Sequence, residues 1–104
     1  MHPLIREKRG AIEAVCRQFG VRRLEVFGSA ARGSDFDAER SDVDFLVEFA
    51  PDSEAETSLS AYLALREQLS DILQRPVDLV TSESVENPFV RAEIERSREP
   101  VHAP

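Results

Sequence analysis

Three observations predict a small α/β (α+β) domain. Apolar residues recur at helical spacing in three segments, short apolar runs fall between them, and Gly, Pro or polar clusters stand at the junctions. The chain has 104 residues, about the size of one domain with a single modest core. A single domain over residues 1–104 is expected, with a frayed tail from about residue 98. The chain carries no internal repeat and no segment biased enough to serve as a linker.

Leu4, Ile5, Ile12, Val15, Cys16 and Phe19 fit one face of a first helix ending at Gly20. Leu24 to Phe27 reads as a short buried strand, and Ser29 to Gly33 as the opening turn of a helix. A polar, charged loop follows from Ser34 to Ser41. Asp42 to Phe49 is a near-continuous apolar run suited to a central strand covered on both faces, and Pro51 stops it. Ala50 to Thr57 reads as an exposed connection with capping residues for the next helix. Leu59, Tyr62, Leu63, Leu69, Ile72 and Leu73 then mark the longest amphipathic helix. It ends near Gln74, because Pro76 cannot continue it without losing a backbone hydrogen bond. Val77-Asp78-Leu79-Val80 is a third strand. Asn87-Pro88 opens a last, weaker helix carrying Phe89, Val90, Ala92 and Ile94.

Composition narrows the chemistry. Acidic residues number 20 against 13 Lys plus Arg, a formal net charge of −7. Such a balance disfavours nucleic acid as a direct substrate and also serves solubility. Cys16 is the only cysteine, which excludes an intrachain disulfide and a cysteine-built metal site. Its apolar neighbours predict a packed, inert thiol. No run approaches the roughly 20 apolar residues that span a bilayer, and the first residues lack a signal peptide's apolar core. A cytoplasmic protein without membrane contact is expected. His2 and His102 are terminal and expected to be unpartnered, neither ligand nor base.

Two stretches carry the candidate chemistry. Val26-Phe27-Gly28-Ser29-Ala30-Ala31-Arg32-Gly33 runs a strand into Gly-Ser, where the missing Cβ lets backbone approach a phosphate and a helix start offers free N–H donors. The Ser29 hydroxyl adds a donor. In Ser41-Asp42-Val43-Asp44-Phe45-Leu46-Val47, residues two apart on a strand project from one face, so Asp42 and Asp44 can converge on a divalent cation. Together they suit work on a metal-bound nucleoside triphosphate. Gly33 fits a loop reversal through a positive φ. Asp35, Asp37, Glu39 and Arg40 read as a solvated charged surface.

The order strand, Gly-Ser, loop, Asp-x-Asp, then a later strand aspartate resembles the nucleotidyltransferase superfamily typified by DNA polymerase β. At this length it is similar to the minimal nucleotidyltransferase family, antitoxins paired with HEPN-domain ribonuclease toxins. The resemblance implies a small mixed β-sheet flanked by helices. It implies that Gly28 and Ser29 hold the triphosphate of ATP and that Asp42 and Asp44 bind magnesium, two ions being expected. Asp78 becomes the third carboxylate, beside the metal pair and assisting deprotonation of the acceptor hydroxyl. Arg32 matches the arginine of the family's Gly-Ser-x-x-Arg-Gly stretch, where it contacts phosphate or braces the loop through a carboxylate. Twelve residues separate Ser29 from Asp42, more than the family's usual spacing, and a longer surface loop costs little.

The implied activity is transfer of AMP from ATP to a hydroxyl, tyrosine in the resembling family, of a HEPN-type toxin, with release of pyrophosphate. A chain this short has little left to build a pocket for a small acceptor, which favours a protein partner and a complex with it. Two other readings stay open: an antitoxin that works by occlusion without catalysis, and a small-molecule transferase resembling aminoglycoside adenylyltransferases.

Overall fold

The computed structural model describes residues 2–32 and 42–103. Gly33, Asp35, Asp37, Glu39 and Arg40, for which a loop reversal and a charged surface are expected, lie outside the described residues.

The elements run α1 (Pro3–Glu7), α2 (Arg9–Gln18), β1 (Val21–Phe27), α3 (Ser29–Arg32) and β2 (Val43–Phe49). They continue with α4 (Glu54–Thr57), α5 (Leu59–Leu73), β3 (Val77–Thr81), a 3-10 turn (Ser82–Ser84), α6 (Pro88–Ser97) and β4 (Glu99–His102). The strands form one mixed sheet in the order β3-β2-β1-β4. β1 pairs antiparallel with β2 and β4, while β2 and β3 are parallel. The parallel step is made by the α5 crossover, the usual way to return a chain in the same direction.

Strand alternation sorts β2 between two packing layers. Val43, Phe45 and Val47 enter the main core with Ile12, Leu24, Leu65 and Leu69, between the sheet and helices α2 and α5. Leu46 points to the other face, where it meets Phe27, Val85 and Ile94 under α6. The expected coverage of the central strand on both faces is therefore present.

Several boundaries differ from expectation. The first helical face is split into α1 and α2 at Lys8 (φ −97°, ψ 4°). Residues 6–11 are exposed, so no buried anchor between Ile5 and Ile12 holds the two segments in one straight helix. His2 is partnered: its Nδ1 accepts the Leu4 N–H at 3.1 Å and caps α1. β1 begins three residues earlier than expected, and Asp42 precedes β2. The Ala50 to Thr57 connection contains a short helix and is not wholly exposed. Ser53 and Ala55 are buried, and the Ser53 hydroxyl donates to the Phe19 carbonyl at 2.6 Å while accepting the Ala55 N–H.

The largest correction concerns the tail. Residues 99–102 are not frayed: Glu99–His102 form β4 against β1, and Val101 is fully buried. Its partner strand lies more than 70 residues away in sequence, so no local pattern announces it. The end of α5 agrees with expectation, with Gln74 in the left-handed region (φ 55°) as the C-cap.

Candidate active site

The end of β1 and the starts of β2 and β3 bring the candidate residues together. Phe27 pairs with Asp44 across β1–β2, and Asp44 pairs with Asp78 across β2–β3. Asp44 lies two residues from Leu46 on the α6 side of the sheet and is half-buried, whereas Asp42 and Asp78 are exposed.

Asp44 feels the other two carboxylates. Asp44 has its pKa pushed from 3.8 up to about 6, first by burial, then by the charges of Asp78 and Asp42, and by a hydrogen bond with the Asp78 side chain. Among the described residues no group of three ligating side chains is gathered as an assembled metal centre. The donor set nevertheless fits magnesium, a hard cation that takes oxygen ligands. A carboxylate that holds its proton against like-charged neighbours is relieved when a divalent cation arrives.

Gly28 closes this site from the β1 side. Its φ is +72°, and a Cβ built on it would stand 3.0 Å from Asp44 Oδ2. Glycine is thus required for backbone conformation and for the approach of the carboxylate. Ser29, partly exposed, opens α3 behind it.

Helix α6 holds the Gly-Ser turn in place, a role that sequence reasoning missed. The Gly28 N–H donates to Ser97 Oγ at 2.9 Å, and that hydroxyl donates to the Glu93 carbonyl at 2.7 Å. The Glu93 carboxylate pairs with Arg32. Glu93 and Ser97 are four residues apart on one helical face, but nothing in that spacing names a target 60 residues upstream. Cys16 is fully buried in the main core, its thiol pushed up to about 12 chiefly by burial, in agreement with an inert role.

Comparison with known proteins decides the family, because the family described as "nucleotidyltransferase domain" matches residues 8–101. The chain belongs to the nucleotidyltransferase domain family. A Methanocaldococcus jannaschii protein provisionally named a protein adenylyltransferase is 44% identical over 78 residues, covering 75% of this chain and 74% of its own length. A solved structure of a protein provisionally described as a minimal nucleotidyltransferase superposes with a TM-score of 0.73 at 32% identity, covering 96% of both chains. The same fold occurs in a complex of a tri-AMPylated Shewanella oneidensis HEPN toxin with an MNT antitoxin. There the TM-score is 0.65 at 18% identity, over 96% of this chain and 73% of that one. As a nucleotidyltransferase, this chain has the mixed sheet and flanking helices that its motifs implied. No helix among the described residues is long and apolar enough to cross a membrane.

Proposed function

We propose that this nucleotidyltransferase moves AMP from ATP to a hydroxyl of a HEPN-type protein partner, releasing pyrophosphate. The observation that carries the reading is the row Gly28, Asp44, Asp78: a positive-φ glycine turn against the Asp44 carboxylate, with Asp78 at the same register on the neighbouring strand. Support comes from the names of the M. jannaschii relative and of the AMPylated toxin complex.

In this reading Gly28 and Ser29 hold the triphosphate, and Arg32 braces that turn through Glu93. Asp42, Asp44 and Asp78 hold magnesium, two ions in the full complement. Bound there, magnesium neutralises charge on the reacting phosphate and the departing pyrophosphate. The acceptor oxygen forms its bond to the α-phosphorus as the bond from that phosphorus to the bridging oxygen breaks. Pyrophosphate leaves with the electron pair, and the acceptor's proton passes to Asp78. Phosphoryl chemistry of this kind depends on positioning, which the α6 brace supplies on one side and the β2–β3 ladder on the other.

The test is incubation of the purified chain with ATP, magnesium and the product of the adjacent reading frame, followed by intact mass measurement of both proteins. Partner mass rising by whole adenylyl groups with wild type, and not with Asp42→Asn/Asp44→Asn, is expected. Adenylylation that persists in the double variant overturns the carboxylate assignment. Tight binding without mass change overturns catalysis in favour of occlusion.

A further inference from the structure

In-line displacement puts the attacking oxygen opposite the leaving group. If the triphosphate lies on Gly28 and Ser29, pyrophosphate departs on the β1 side, and the acceptor must enter from the β3 side, across Asp78. β3 is the edge strand of the sheet on that side. A cleft of about 660 Å³ lies there, lined by Leu63 and Arg66 of α5 together with Pro76, Val77 and Asp78. The Tyr62 hydroxyl donates to the Leu79 carbonyl, which closes part of the strand edge next to Asp78.

From the cleft wall outward, α5 carries an apolar stripe. Leu59 is 72% exposed and Leu63 is 40% exposed, and their i,i+4 spacing sets them on one face. A stable protein complex covers about 800 Å² on each partner, more than a cleft mouth alone, and Leu63 in the cleft wall with Leu59 one turn away on α5 continues the surface. The other exposed apolar pair, Phe89 and Val90, opens α6 and does not line the cleft that ends at Asp78.

Resting on the adenylyl-transfer reading above, we propose that the acceptor protein docks on the outer face of α5. Leu59 and Leu63 are its apolar anchors, and its hydroxyl reaches Asp78 along the α5–β3 cleft. Arg66 flanks the entering segment.

The experiment compares wild type, Leu59→Glu/Leu63→Glu and Phe89→Glu. Each is assayed for AMP transfer to the HEPN-type partner at sub-saturating partner concentration, for partner affinity by calorimetry, and for thermal stabilisation by magnesium-ATP. Loss of two anchors should lower transfer and partner affinity at least about tenfold. Magnesium-ATP stabilisation should stay at the wild-type level, which also reports an intact fold. Phe89→Glu should behave as wild type. Wild-type transfer by Leu59→Glu/Leu63→Glu, or an equal loss in Phe89→Glu, overturns the surface while leaving the adenylyl-transfer reading standing. Absence of transfer by the wild type overturns both.

Discussion

Asp44 and Asp78 stand at one register on neighbouring parallel strands, and after burial the Asp78 charge is the largest influence raising the Asp44 pKa. Two carboxylates that close cannot both ionise without cost. Asp44 therefore keeps its proton to about pH 6, with Asp42 adding to the repulsion. Their proximity makes the site costly when empty of cations, and the protein's pH and metal responses follow from it.

Between pH 3.8 and about 6 the native state holds a proton on Asp44 that the unfolded chain has lost. The stability this group contributes is full below that window and declines as pH rises through it. Asp44→Asn removes the repulsion. In magnesium-free buffer at pH 7.5 it should melt about 4 °C above wild type, solvent screening of the half-exposed group leaving roughly 1 kcal/mol, with little difference at pH 4. Magnesium should raise the melting temperature of wild type and leave that of Asp44→Asn nearly unchanged. Melting curves at both pH values, with and without magnesium, check both statements.

Gly28→Ala forces a left-handed alanine and sets a methyl group 3.0 Å from Asp44 Oδ2. The backbone cost is about 1 kcal/mol, measurable by urea unfolding. Because the contacted atom ends a side chain, the fold survives by moving the carboxylate. Loss of magnesium-ATP binding should therefore exceed the loss of stability, as titration by calorimetry would show.

Ser97→Ala leaves the half-buried Gly28 N–H without its acceptor. Stability should fall by about 1–2 kcal/mol. The Gly-Ser turn also loses one of its two ties to α6, so KM for ATP should rise more than kcat falls. Ser97→Thr, which restores a hydroxyl, should recover most of both.

Glu25 is 5% exposed and receives two hydrogen bonds from Arg98, at 3.0 and 2.8 Å, where α6 passes into β4. Arg98→Met strands that carboxylate and should cost about 3 kcal/mol in urea unfolding. Adding Glu25→Gln should recover a large part, since the buried charge is then gone. An additive double variant would show the two residues to be uncoupled.

The helical periods of α2 and α5, the apolar run of β2, and the Asn87-Pro88 start of α6 were legible because each is a local pattern read within a few turns or one strand. The Gly-Ser turn and Asp42-x-Asp44 were legible for the same reason: each is built from residues close in sequence. What brings Asp78 level with Asp44 is the β2–β3 register, and sequence spacing does not encode it. The ties of Ser97 to Gly28 and of Glu93 to Arg32, like the pairing of β4 with β1, join segments 60 residues or more apart. Side chains that look like ordinary surface polarity on α6 became the brace of the turn only when helix and strand were packed together. Local periodicity and turn chemistry are properties of neighbouring residues, so the sequence by itself determined the elements and the candidate motifs. Partnership between distant residues depends on how the sheet pairs and which face each helix covers, and that was decided by tertiary packing alone.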